Sequence, residues 1–130
     1  MKYLKIKETC LYIHDLEKAK DFYHELLGLP VISYLAGKHL FLRVGESVLL
    51  LFNPEDSKQK TSPPAHFGGG KQHFAFQISG TEYADAKAEI TGKGIEIIDE
   101  ITWDSGKKSF YFNDPEGNVL EILPENGIWD

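Results

Sequence analysis

The sequence predicts an α+β fold made of two tandem copies of one strand–helix–three-strand pattern, and three observations support this. Each half opens on an alternating, strand-like run, residues 7–13 in the first and residues 72–78 in the second, about 65 positions apart. Each run leads into helical spacing that stops at a glycine, Gly28 in one half and Gly92 in the other. Three short strand-like runs then follow each helix. A lone half would leave one face of its small sheet uncovered, so the two copies are expected to combine.

The elements follow from local chemistry. Asp15 is placed to cap the first helix, and Leu16, Ala19, Phe22, Tyr23, Leu26 and Leu27 recur at its apolar spacing. Gly28 supplies the left-handed position that ends it. Strands are then expected over residues 31–35, 39–44 and 48–52, separated by Gly37 and by Gly45-Glu46. The polar, Pro- and Gly-rich stretch 54–70 carries no period and reads as a linker or a loop over the site. In the second half Thr81 is placed to cap a helix carrying Tyr83, Ala86 and Ile90, which Gly92-Lys93-Gly94 ends. Strands follow over 95–101, 108–112 and 119–123, and Asp114-Pro115-Glu116-Gly117-Asn118 supplies a tight turn before the last.

At 130 residues the chain is expected to be one domain, 1–130, with modules at about 4–56 and about 70–125. The net charge of −6 and the scattered Lys and Arg argue against nucleic acid as a partner. The longest apolar run, residues 48–52, is far too short to span a bilayer, so no membrane partner is expected. With no secretory signal visible and a single cysteine, Cys10, a reducing cytoplasmic setting is expected and an internal disulfide is excluded.

Strand alternation gives each polar candidate a direction. Glu8, Cys10 and Tyr12 share one face of the first strand. On its counterpart His73, Ala75 and Gln77 point away from Phe74, Phe76 and Ile78, which suit packing under a helix. On the last strand Glu121 is a charge between Leu120 and Ile122, and its counterpart in the first half falls near Leu50. A lone His on a strand is more often structural, and a lone Glu near a strand end is usually solvated. The duplication, however, puts Glu8 and His73 in equivalent places and groups Glu121, on the last strand, with them. One imidazole and two carboxylates suit a divalent Zn, Ni, Mn, Fe or Co ion and leave coordination positions open. Cys10 reads as an inert thiol, His14, His24 and His39 as surface or structural groups, and His66 with Gly68-Gly69-Gly70 as a lid.

The segment Asp15-Leu16-Glu17-Lys18-Ala19-Lys20-Asp21-Phe22-Tyr23, continuing to Leu27-Gly28-Leu29, resembles a signature of the vicinal oxygen chelate superfamily. This is the glyoxalase, bleomycin-resistance and dioxygenase group. Phe110-Tyr111-Phe112-Asn113-Asp114-Pro115-Glu116-Gly117-Asn118-Val119-Leu120-Glu121-Ile122 resembles its other signature. The resemblance implies paired βαβββ modules whose sheets form a partly closed barrel with helices outside. It also implies metal ligands at Glu8, His73 and Glu121. The sequence departs from the pattern at two positions: Glu8 stands where His is common, and Leu50 falls at a fourth ligand position.

The implied activity is that of a metal-dependent enzyme of the glyoxalase type, in which a divalent ion chelates a small oxygenated metabolite or electrophile. Isomerase, lyase and thiol-transfer chemistry are all open. Glu8 or Glu121 is the candidate base, and Tyr12, Arg43, Gln77, Trp103 and Tyr111 are the candidate substrate-binding groups. A homodimer is expected, because the family commonly completes its pockets across subunits. The alternative is a metal-free small-molecule or antibiotic-binding protein of the bleomycin-resistance type, and the inward ligand set argues against it.

Overall fold

The computed structural model describes residues Met1–Asp130. The chain divides into two compact units, Met1–Gly70 and Lys71–Asp130, and each is a βαβββ module of the expected kind. In the first, β1 (Glu8–Tyr12), α1 (Leu16–Lys20), β2 (Val31–Leu35), β3 (His39–Val44) and β4 (Ser47–Phe52) follow in order. Their sheet runs β1-β4-β3-β2, with β1 parallel to β4 and the other pairs antiparallel. In the second, β5 (His73–Ile78), α3 (Tyr83–Gly92), β6 (Asp99–Thr102), β7 (Lys108–Asn113) and β8 (Val119–Pro124) repeat the plan. The order β5-β8-β7-β6 reproduces the first sheet strand for strand.

Alternation sorts each sheet into two faces. In the first unit Leu11, Leu40, Leu42, Leu49 and Leu51 are buried on one face, together with Leu16, Ala19, Phe22 and Tyr23 of the helical segment. In the second, Phe110, Phe112, Leu120 and Ile122 form the core with Ile90 of α3. Tyr83 docks α3 by meeting the Phe110 ring edge-on at 5.5 Å and donating to Glu100 at 2.9 Å. Burying such side chains contributes roughly 1.5–3 kcal/mol each, which is why the apolar faces decide register.

Several local expectations need correction. The Asp15 carboxylate does accept from the Lys18 amide at 3.1 Å. After Lys20, however, the helix widens into a π-helical stretch, Asp21–Leu26, in which the Leu27 amide donates to the Phe22 carbonyl at 2.9 Å. The extra residue per turn carries Leu26 off the apolar stripe, and its side chain is exposed. Gly28 then takes φ +78°, as a helix-ending glycine does.

The stretch after β4 is not wholly irregular, because α2 (Pro54–Ser57) forms there with Asn53 accepting from the Glu55 amide. Asn-Pro-Glu-Asp is a helix-start signature, and it was legible in the sequence. Thr81 does not cap α3. Its hydroxyl bonds Ser79, and the helix begins after Glu82. The second strand of the second unit, β6, starts only at Asp99. Ile95 and Ile97 are half-buried and Ile98 is exposed, and of this apolar run only Ile98 reaches β7, its amide donating to the Tyr111 carbonyl at 2.8 Å.

Candidate metal centre

His73 and Glu121 meet within the second unit. His73 opens β5, and Glu121 sits on β8 opposite Ala75 and Tyr111. The two point to the same sheet face, which is the one away from Phe110 and Phe112. His73 Nε2 lies 3.4 Å from Glu121 Oε2. The imidazole is half exposed, whereas Glu121 is only 5 % exposed.

Two features fix this pair chemically. His73 Nδ1 donates to the Val119 carbonyl at 2.8 Å, so Nε2 carries the lone pair when the ring is neutral. Metal-binding imidazoles are commonly oriented through their second nitrogen in this way. Glu121 Oε1 is buried with no hydrogen-bond partner. A buried acceptor in that condition costs about 1–3 kcal/mol, more when charged, and a cation held at this face would supply the missing partner. The 3.4 Å separation is long for an N–H···O hydrogen bond. It equals the roughly 3.4 Å expected between two neighbouring ligands, each about 2.1 Å from a tetrahedral ion. The donor set and its spacing therefore fit a divalent metal.

The turn before β8 holds this geometry in place. Asp114 Oδ1 accepts from the amides of Glu116 at 2.9 Å and Asn118 at 2.8 Å, and Oδ2 accepts from Asn118 Nδ2 at 2.9 Å. Asn118, fully buried, uses its Oδ1 to accept from the Gln72 amide at 3.0 Å. The signature turn thus clamps the residue preceding His73. Sequence reading took Asp114 and Asn118 only as turn residues, and their role in positioning His73 depends on a contact across 46 positions.

Tyr111 lies beside the pair. Its ring centroid is 6.2 Å from that of His73, and it faces Glu121 across the β7–β8 ladder. Burial, with the neighbouring Glu121 carboxylate, holds its phenol above the ordinary range, so it keeps its proton and acts as a donor. Gln77 shares the His73 face and is exposed. Trp103 does not line the face freely, because its indole N–H donates to the buried Ser109 hydroxyl at 3.0 Å.

In the first unit, Glu8, Cys10, Tyr12 and Arg43 line a cleft of about 910 Å³ together with Leu50, Phe41 and Phe52. Glu8 and Arg43 are exposed. His66 closes one end: its Nδ1 is 2.9 Å from the Tyr12 hydroxyl, and Phe52 meets its ring edge-on at 4.6 Å. Cys10 Sγ reaches only the Tyr12 hydroxyl, at 3.8 Å. His24 and His39 have structural partners, the Leu29 carbonyl and the Ser33 hydroxyl respectively. Neither unit by itself gathers three His, Cys, Asp or Glu side chains into a metal-binding group.

Residues 5–122 match the family described as the Glyoxalase/Bleomycin resistance protein/Dioxygenase superfamily. The chain is 29% identical to the Glutathione transferase FosA of Serratia marcescens over 120 residues, covering 90% of this chain and 78% of that protein. It is 25% identical to the Metallothiol transferase FosB of Staphylococcus saprophyticus, covering 90% and 74%. Among solved structures, a lactoylglutathione lyase from Agrobacterium tumefaciens superimposes with a TM-score of 0.91 at 32% identity, covering 96% of both chains. Enzymes therefore stand among its relatives, and the tandem βαβββ architecture is shared.

Proposed function

The chain belongs to the Glyoxalase/Bleomycin resistance protein/Dioxygenase superfamily, and on that premise we propose that it is a metal-dependent enzyme joining or releasing a thiol at a small oxygenated electrophile. His73 and Glu121 would hold the ion, and Glu8 is the third ligand the sequence nominates. The observation that carries the reading is the Glu121 carboxylate, with Oε1 buried and unpartnered and Oε2 3.4 Å from the free nitrogen of His73. The thiol is supported by the relatives, whose names specify a glutathione transferase, a metallothiol transferase and a lactoylglutathione lyase.

When bound, a divalent ion supplies Lewis-acid stabilisation of the oxygen on which charge develops. The protein's own groups supply the rest. The Val119 carbonyl keeps His73 in the tautomer that leaves Nε2 free. Tyr111, protonated, donates a hydrogen bond toward the Glu121 side of the face. Glu8 is exposed and Glu121 is buried, so of the two candidates Glu8 suits the base and Glu121 suits a ligand. Arg43 and Tyr12 on the first sheet, with Gln77 and Tyr111 on the second, are the proposed substrate contacts, and Trp103 supports the wall.

Metal analysis of protein purified without chelator tests the proposal. Near-stoichiometric divalent metal is expected, lost in His73→Ala and reduced in Glu8→Gln. An assay that follows free-thiol consumption with glutathione and a small epoxide or ketoaldehyde then reads the reaction. Protein without metal before and after reconstitution would refute the enzyme reading in favour of a binder.

A further inference from the structure

The duplication lets the two units be compared position by position. Strand register pairs Cys10 with Leu50 and Leu50 with Phe41, as it pairs Ala75 with Glu121 and Glu121 with Tyr111. Leu50 and Phe41 therefore stand where the second unit has Glu121 and Tyr111. The carboxylate and phenol of one face have become an aliphatic and an aromatic floor on the other.

Three rows of side chains cross this face. The first carries Glu8, Val48 and Arg43, the second Cys10, Leu50 and Phe41, and the third Tyr12, Phe52 and His39, whose ring stacks on one face of Phe41 at 3.9 Å. From first to third row the strand advances about 13 Å. Phe52 meets Phe41 edge-on at 5.3 Å, and His66 closes the far end. Arg43, exposed and in no ion pair, is the uncommitted cation of the first row. Lys60, at the rim, is already 3.9 Å from Asp56. The cleft volume of about 910 Å³ lies within the range that takes a drug-sized molecule.

We propose that this cleft binds an organic carboxylate with a flat, apolar body, the carboxylate on Arg43 and the body on Leu50 and Phe41 against Phe52. That the bound molecule is the substrate rests on the enzyme reading above; that it binds here does not. A small, highly charged anion would leave the apolar floor wet and gain only the Arg43 contact. A ring system spanning the second and third rows buries that floor and reaches the aromatic end.

The probe is 2-naphthoate, titrated by fluorescence into the full-length protein with and without chelator, beside 2-naphthylmethanol, acetate and inorganic phosphate. Naphthoate is expected to bind at one site, with or without metal, and to outcompete acetate and phosphate. Arg43→Gln should weaken naphthoate by about tenfold, the size of one charge-assisted hydrogen bond, and leave naphthylmethanol unchanged. Arg43→Lys should restore part of the loss. Acetate or phosphate matching naphthoate would overturn the proposal, as would Arg43→Gln without effect. Protein that never holds metal but shows the expected naphthoate series would sink the enzyme reading and leave this one standing.

Discussion

Replacing Glu121 by leucine should stabilise the metal-free protein, an uncommon outcome for removing a buried charge. The first unit already carries the replacement, because Leu50 occupies the register position that Glu121 holds in the second. In the metal-free protein Oε1 is buried without a donor, a cost of about 1–3 kcal/mol that leucine removes. Against this stands the loss of the His73 contact. With a half-exposed imidazole at 3.4 Å, it is worth no more than about 1 kcal/mol. Tyr111 is half-buried and can turn its hydroxyl to water. The balance is a gain of about 1–2 kcal/mol, or on the order of 3–8 °C in Tm for a chain of this size. Thermal melts in chelator read that gain directly. In the presence of Mn, Ni or Zn at about 100 times Kd, the wild type should gain about 2.7 kcal/mol, and Glu121→Leu should gain nothing. Glu121→Leu melting well below wild type in chelator would refute the reasoning, since it would show the carboxylate to be a structural acceptor.

Asp114→Ala should cost about 2–4 kcal/mol in urea denaturation, because it strips two backbone amides and the Asn118 amide group of their acceptor. Asn118→Ala should lower metal affinity about tenfold or more even where the protein stays folded, since it frees the Gln72 amide that precedes His73. Glu100 titrates below the usual carboxylate value, held first by Lys87 and by the Tyr83 hydroxyl. Its stabilising effect is therefore present above the unfolded carboxylate pKa and lost as pH falls through the lower folded value. Tm measured from pH 6 to pH 3 should fall less steeply in Glu100→Gln than in wild type. The His39 pKa is also lowered, by burial first and then by Lys60 nearby, and for an imidazole this disfavours the charged form. The folded state thus favours the neutral ring, and His39→Gln should lose part of the stability decline that wild type shows as pH drops below about 6.5.

Much of the fold was legible because period-2 alternation and glycine punctuation are local signals. Residues 31–35 and 39–44 form the expected strands, and Gly28 ends the first helix with the expected positive φ. Where local signals were weak or mixed, tertiary context won. Ile95, Ile97 and Ile98 look like a strand, yet the β6–β7 ladder pairs only from Asp99 onward. The π-helical stretch after Lys20 has no signature in the apolar spacing, which reads equally well as an unbroken α-helix. The α2 start at Asn53-Pro54 was readable and lay hidden inside a stretch dominated by Pro and Gly.

By itself the sequence determined which face of each strand His73, Glu121, Glu8 and Arg43 occupy, because side-chain direction alternates along a strand whatever its partners. It also determined the duplication, which makes Leu50 the counterpart of Glu121. Only the tertiary structure decided that Val119 fixes the His73 tautomer and that Glu121 is buried with one oxygen unpartnered. The same holds for His66 closing the cleft over Tyr12 and Phe52. Each of these depends on a contact between residues distant in the chain, and local periodicity carries no information about which distant group will arrive.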